Sequence, residues 1–357
     1  MAKSSDSLTE QEIESGTASK APLAPKNDWR RKIKAERPPM SAGLLVLCII
    51  GLCVSLILIA IGFLGGVWIP LDAVSHLRIH LMGAAVGFAL AIFSLLTLRR
   101  KRYAFLILVL AAAGTVLFAA RWPEYSQPKV PPLTTVLGEK ALRLVSLNIW
   151  GRNGANGKIA DAITQADADV AVLLEYLPKH KPLLDRLLES FPHQYDCAEI
   201  AGCTMAIVSK HPFEQTGGKA RWEGPVTVWA RFGKELNGVT VFGTHFLRPD
   251  TPNAQWRQVK ALARETFNAP GPLIVTGDFN AAPGSLMLVG FQEFAGLWRV
   301  TSLPTWPAWF FNLPQLAIDH MYISGGVRPL ALPETGQNAG SDHLSQIGVF
   351  AISGQAQ

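Results

Sequence analysis

Apolar runs dominate the first third of the chain, and shorter alternating patterns replace them afterwards. Residues 41–69 contain no charged side chain over 29 positions, enough helix to cross ~30 Å of hydrocarbon with some tilt. A second uncharged run covers residues 79–98 and a third, of 18 residues, covers 103–120. The first run is too long for a signal-peptide core of about 7–15 residues, and it follows a long polar tail. Three transmembrane helices are therefore predicted at 41–69, 79–98 and 103–120.

The flanks fix an orientation. Residues 1–40 are rich in Ser, Glu, Lys and Pro, and read as a disordered tail ending in the basic cluster Lys26, Arg30, Arg31, Lys32, Lys34 and Arg37. Arg99-Arg100-Lys101-Arg102 separates the second and third runs, whereas residues 70–78 are nearly uncharged. Basic residues accumulate in short cytoplasmic loops. With three crossings the tail and the 99–102 loop share the cytoplasmic side. Everything after Arg121 is then outside, in the periplasm if the source has two membranes. Residues 121–141, with Pro123, Pro128, Pro131 and Pro132, read as a stiff extended linker.

Residues 142–357 have a different texture. Short β-type runs at 142–149, 170–174, 205–208, 226–232, 238–246, 273–277, 317–323 and 346–352 alternate with helical patterns at 158–166, 181–189 and 252–266. That is a mixed α/β domain. Cys197 and Cys203 lie six positions apart, and in an oxidising outside compartment they are expected to form a small-loop disulfide.

Composition narrows the choices. Charged residues make up 17% of the chain and hydrophobic ones 49%, which disfavours a purely soluble cytoplasmic protein. Residues 121–357 carry 20 basic and 20 acidic side chains, so the net charge of +6 comes from the tail and the apolar region. A domain that grips nucleic acid by its phosphates would carry a basic excess of its own.

The candidate chemistry lies at strand ends, where α/β folds place it. Asn148 closes Leu-Val-Ser-Leu-Asn, Glu175 closes Val-Leu-Leu-Glu, and His245 closes Gly-Thr-His. Asp278 and Asn280 follow in Gly277-Asp278-Phe279-Asn280, Asp319 in Ile-Asp-His, and Asp342 with His343 in Ser341-Asp342-His343. Carboxylates and amides gathered at one rim suit a hard divalent cation such as Mg²⁺, with Mn²⁺ as the alternative. Imidazoles add groups to handle protons and phosphate charge. Arg257 and Gln258, on the helical pattern before the Gly-Asp-Phe-Asn strand, are candidate substrate contacts. There is no dinucleotide fingerprint, P-loop, His-Glu-x-x-His or Gly-x-Ser-x-Gly motif.

These blocks, in this order over about 143–350, resemble the endonuclease/exonuclease/phosphatase superfamily, whose best-known fold is that of deoxyribonuclease I. The resemblance implies a four-layer α/β sandwich, two packed β-sheets with helices outside. It also implies roles. Glu175 would be the main Mg²⁺ ligand, with Asn148 and Asp342 completing the shell through water. Asp278 would orient or deprotonate the attacking water, and Asn280 would hold a phosphate oxygen. His343, oriented by Asp319, would serve as base or transition-state stabiliser, and His245 would donate to the phosphate or the leaving oxygen. Two positions depart from the family: Gly243 stands where an Asn is common, and Trp150 stands where some DNA-cleaving members have an acid.

Trp298, Trp306, Trp309, Phe310 and Phe311, with Pro304, Pro307 and Pro314, precede Asp319. Aromatics on a rim suit a bilayer interface or a lipid tail; they also suit stacking on nucleobases or burial in the core. The expectation is a membrane-anchored, Mg²⁺-dependent phosphoesterase acting on a lipid or small phosphoester at the bilayer. A nuclease is the first alternative and a non-catalytic phosphate-binding module the second. The bilayer and the phosphoester are the expected partners; nucleic acid is disfavoured, and no obligate protein partner is indicated.

Overall fold

In the computed structural model, residues 39–96, 103, 114, 138–309 and 311–354 are described. The tail up to residue 38, the cationic loop 99–102 and most of the third run (103–120) and of the linker lie outside them.

Helix α1, Pro39–Gly62, carries the first apolar run, and α2, Arg78–Leu95, most of the second. By length and composition Ala42–Gly66 and Ile69–Leu95 are each long and apolar enough to cross a membrane, the two such stretches among the described residues; the predicted third, 103–120, falls almost wholly outside them. Side chains such as Leu47, Val54, Ile57 and Leu90 are exposed, an outward apolar surface that suits lipid.

The segment between these helices is no open loop. Ile69–Leu77 forms a 3₁₀ helix that packs on the α/β domain, with Ile69 against the cluster built by Phe242, Val259, Phe279 and Phe291. Asp72 is only 2% exposed. Its Oδ1 accepts the backbone N–H of Leu286 at 2.9 Å and the Ser75 hydroxyl at 2.7 Å. Sequence reading missed this because Asp72 is the lone charge in the segment and its partner is remote.

The domain itself is two mixed sheets packed face to face. The first is ordered β11-β13-β1-β2-β4-β3, with β12 also on β13, and the second β5-β6-β7-β8-β10-β9. Their strands are β1 Lys140–Asn148, β2 Val170–Leu174, β3 His193–Asp196, β4 Met205–Ser209, β5 Phe213–Lys219, β6 Val226–Phe232 and β7 Thr240–His245. The remainder are β8 Leu273–Asp278, β9 Trp298–Arg299, β10 Asp319–Ile323, β11 Val327–Pro329, β12 Glu334–Thr335 and β13 Gln346–Ile352. Leu142, Leu144, Val172 and Ile207 of one sheet meet Val228, Val241, Ile274 and Met321 of the other in the central core.

Helices close both outer faces. Helices α3 (Asn156–Gln165) and α4 (Lys181–Leu187) bury Ile159, Ile163, Leu183 and Leu187 on Val145, Leu147, Ala171 and Leu173. Helices α5 (Pro252–Asn268) and α6 (Leu286–Ala295) bury Val259, Leu262, Leu288 and Phe291 on Phe242, Val275 and Tyr322. The result is the α/β sandwich that the resemblance implied. Cys197 and Cys203 form the expected disulfide, with Cα atoms 5.6 Å apart.

Candidate active site

Two parallel strand pairs, one in each sheet, aim their carboxyl ends at the same place. In the first sheet β1 and β2 run parallel with Asn148 opposite Leu174, so Glu175 emerges directly beside Asn148. In the second, β7 and β8 run parallel with His245 opposite Asp278. Antiparallel β10 sets Asp319 opposite Asp278. Because both sheets pack through the central core, the four ends converge, and the Ser341–His343 loop before β13 closes the gap.

Asn148 joins the two halves. Its Nδ2 donates to Glu175 Oε1 at 3.1 Å and to Asp278 Oδ2 at 3.2 Å, while its Oδ1 accepts the Trp150 N–H. Glu175 Oε2 accepts the Gly151 N–H at 2.8 Å. His245 Nε2 stands 4.0 Å from Glu175 Oε1 and 3.6 Å from Asp278 Oδ2. Asp278 Oδ1 accepts the Asn280 N–H at 2.8 Å, and the Asn280 side chain donates to Phe246 O. His343 Nδ1 lies 2.8 Å from Asp319 Oδ2, leaving Nε2 at 3.9 Å from Asp278.

Burial divides the group into a base and a mouth. Asn148, Asp278, Asp319 and His343 are buried, Asp278 to 1% exposure, whereas Glu175, His245 and Asn280 are half-buried and reach solvent. Trp150, Glu175 and Asn280 have φ of 58°, 58° and 48°, left-handed conformations uncommon outside glycine. Such strain persists where surrounding structure over-determines it, and functional residues are its usual hosts.

Electrostatics follow from this crowding. Burial first, and the Asp319 charge second, push Asp278 up to about 6 against the pull of His343 and His245. Burial opposes the His343 cation, yet Asp319, by charge and hydrogen bond, with help from Asp278 and Asp342, lifts it to about 10. Burial also opposes ionised Glu175, but His245, the Gly151 N–H and the Asn148 amide together hold its carboxyl below the ordinary range.

The donor set fits a hard cation. Each Glu175 oxygen accepts a single N–H, which leaves lone pairs at the open mouth. Asp342 takes the Trp306 indole N–H on Oδ2 at 3.2 Å, and its buried Oδ1 has no hydrogen-bond partner. One carboxylate oxygen from each of Asp278 and Asp319 and one ring nitrogen of His343 lie within 4.8 Å of one another, a second acid-rich grouping at the base.

Other positions do not follow the sequence reading. Arg257 is exposed on α5 and does not line the cavity beside His245, while Gln258 is buried and lines it. Its side chain is engaged with backbone: Oε1 accepts the Leu247 N–H, and Nε2 donates to Gly224 O. Trp298 belongs to β9 opposite Ile323, at the far end of β10 from Asp319. Trp309 and Phe311 are 69% and 83% exposed, so burial of the aromatic loop in the core is not what occurs there. Three supporting residues were not anticipated. Thr305 donates to Asp319 Oδ2, Ser341 Oγ donates to Asn148 O, and Gln346 donates to Asp319 O. Of these only Ser341 sits in a recognisable motif.

Gly243 has a packing reason. A Cβ there would lie 2.3 Å from Val172 Cγ1 of the opposing sheet, so close approach of the sheets excludes a side chain. Gly277 is as constrained, with φ of 141° and Thr244 O 2.0 Å from where its Cβ would stand.

No curated protein sequence matches the chain. Among solved structures, an endonuclease/exonuclease/phosphatase from Bacteroides vulgatus is 16% identical with a TM-score of 0.50, over 60% of this chain and 100% of that one. A Staphylococcus aureus beta toxin with bound magnesium ions is 18% identical with a TM-score of 0.45, over 60% and 100% of the two chains. A sphingomyelinase C from Streptomyces griseocarneus is 16% identical with a TM-score of 0.44, over 60% and 99%. Residues 145–343, more than half of the sequence, match the family model described as the Endonuclease/Exonuclease/phosphatase family. With its strand-end carboxylates and histidines gathered around Asn148, the chain belongs to the endonuclease/exonuclease/phosphatase family, metal-dependent hydrolases of phosphoester bonds.

Proposed function

We propose that the protein is a membrane-anchored, Mg²⁺-dependent phosphoesterase that hydrolyses a lipid or small phosphoester at the outer face of the membrane. The observation that carries the chemistry is the single cluster of Glu175, Asn148 and Asp278 with His245 and the His343–Asp319 pair. Glu175 and Asn148, with Asp342 beyond them, would hold the cation, which polarises a phosphoryl oxygen and offsets its charge. Asp278, at the base, orients a water for attack and takes its proton. His343, held by Asp319, faces the non-bridging oxygens, and His245 at the mouth donates to the leaving oxygen. Asn280 supplies a neutral donor to the phosphate.

The membrane side of the reading rests on topology. The segment Ile69–Leu77 between the two apolar helices packs on the catalytic domain, so the two share one side of any membrane those helices cross. A chain that returns through α2 must then cross once more before Lys140. The uncharged run 103–120 is the one stretch of sequence between them suited to that crossing. An odd count puts the basic tail opposite the domain, as the positive-inside rule asks. The Cys197–Cys203 disulfide suits an extracytoplasmic location.

The aromatic loop favours lipid over polymer. Trp309, Phe311 and Leu313 are exposed, and the loop is fastened to the site by the Trp306 indole on Asp342 and by the Ala308 N–H on Asp342 O at 2.7 Å. Purified full-length protein in phospholipid vesicles should cleave a phospholipid phosphoester with Mg²⁺ and leave plasmid DNA intact. Plasmid nicking at the same enzyme level without lipid turnover overturns the lipid reading in favour of a nuclease. Absence of both activities with metal present leaves the phosphate-binding module.

A further inference from the structure

Beside the catalytic cluster lies a cavity of about 380 Å³ whose inner wall includes His245 and Asn280 and whose other walls include Arg221 and Arg248. Both arginines are exposed, and neither pairs with a carboxylate among the described residues. Asp250 is the single carboxylate in the lining, so two guanidiniums face one acid. The larger cavity on the outer face of the second sheet, about 560 Å³, offers a contrast. Its Lys219 is held by Glu265 at 2.6 Å and its Arg231 by Glu214 at 3.3 Å, so two of its three cations, all but Arg264, already have a carboxylate partner.

The arginine-bearing walls are built rather than loose. Gln258, 5% exposed on α5, accepts the Leu247 N–H at 2.8 Å and donates to Gly224 O at 2.8 Å, with a longer contact to Arg221 O at 3.5 Å. One buried amide thus ties the segment before Arg248 to the segment after Arg221. Next to Arg221, Trp222 covers Gly202, where a Cβ would meet the indole at 2.4 Å. Gly202 in turn sits in the loop closed by Cys197–Cys203. Fixed backbone under two unpaired guanidiniums is the arrangement that recognises phosphate by several directed donors at once.

We infer that this cavity is a subsite for a second phosphate of the substrate, adjacent to the phosphoryl group under attack. The inference rests on the phosphoesterase reading and narrows it to phosphoesters bearing another phosphate within reach, over those with a neutral or cationic neighbour. The cavity opens at His245 and Asn280, the pair assigned to the leaving oxygen and the phosphate, so the second phosphate belongs to the leaving-group side.

The test uses the full-length protein in detergent micelles at fixed free Mg²⁺, with bis(p-nitrophenyl) phosphate as reporter. Methylenebisphosphonate and methylphosphonate are compared as competitive inhibitors. The wild type should bind the bisphosphonate at least about tenfold more tightly. Arg221→Gln and Arg248→Gln should each cut that ratio by about threefold to tenfold, and the double variant should bring it near unity. Both residues are exposed, and unchanged melting temperatures show that the fold is kept. A ratio near unity in a wild type that hydrolyses the reporter overturns the subsite and spares the phosphoesterase reading. A ratio unaltered in the double variant overturns it as well. If no reporter is hydrolysed, phospholipid turnover in vesicles still decides the phosphoesterase reading, and calorimetric binding of methylenebisphosphonate to wild type and double variant decides the subsite alone: arginine-dependent binding supports it, and equal binding overturns it.

Discussion

Asp72 and Leu286 are 214 positions apart, yet a buried carboxylate oxygen of the first accepts the backbone N–H of the second at 2.9 Å. Leu286 opens α6, so the bond satisfies one of the helix's unpaired amides and places negative charge at its positive end. Asp72→Ala should lower the stability of the full chain by about 1–2 kcal/mol. Thermal melting in detergent checks this, with an expected drop of a few degrees. An unchanged melting point would mean that the segment 69–77 does not hold the domain.

The same contact constrains topology. A cysteine introduced at Ser126 should react with a membrane-impermeant thiol reagent in cells with an intact inner membrane. One at Ser4 should react only after that membrane is permeabilised. Labelling of both under one condition would defeat the odd number of crossings.

Removing the charges at the base should separate chemistry from folding. Asp278→Asn and His343→Gln are expected to lower turnover by about 10²–10⁴-fold. Asp319→Asn should approach the same loss, because the neutral amide no longer supports the His343 cation and can turn its N–H toward Nδ1, fixing the wrong tautomer. Circular dichroism should show the fold intact in all three.

Glu175 is expected to act through the metal. Mg²⁺ at about a hundred times its dissociation constant should stabilise the wild type by about 2.7 kcal/mol. EDTA should remove both that gain and the activity. In Glu175→Gln the Mg²⁺-dependent rise in melting temperature should vanish, while a rise as large as in wild type would assign the metal to other residues.

Restoring the family's more common amide at Gly243 should do harm. Gly243→Asn places a side chain where Val172, Met205 and Val228 already pack, with Val172 2.3 Å from the new Cβ. Overpacking of this kind costs about 1–3 kcal/mol. A lower midpoint in urea unfolding, with the slope unchanged, is the expected result.

Amino-acid order alone determined the apolar helices, the mixed α/β layout and the strand ends that bear the chemistry. Each of those signals is local: a buried run such as Val170–Leu174 ends in Glu175, and Leu273–Asp278 ends in its own carboxylate. Edge strands escaped this reading. Phe213–Lys219, with its polar run and paired glycines, and His193–Asp196 lie at the rims of their sheets, where one side is solvated and no apolar alternation is required. Helix α6 escaped because Val289 and Phe294 are exposed while Met287, Leu288 and Phe291 are buried, so apolar residues fall on most sides and hide its period.

Only the tertiary structure decided which side chains serve others. Asn148 reaches Asp278 across 130 positions, and Thr305 holds the acceptor of His343. Gln258, which reads as a possible ligand contact on an amphipathic helix, spends its amide on two loops, and the free guanidiniums come from Arg221 and Arg248 instead of Arg257. Such partnerships depend on how two sheets stack and where a loop between apolar helices comes to rest. Those are sums over many distant contacts, and no window of sequence contains them.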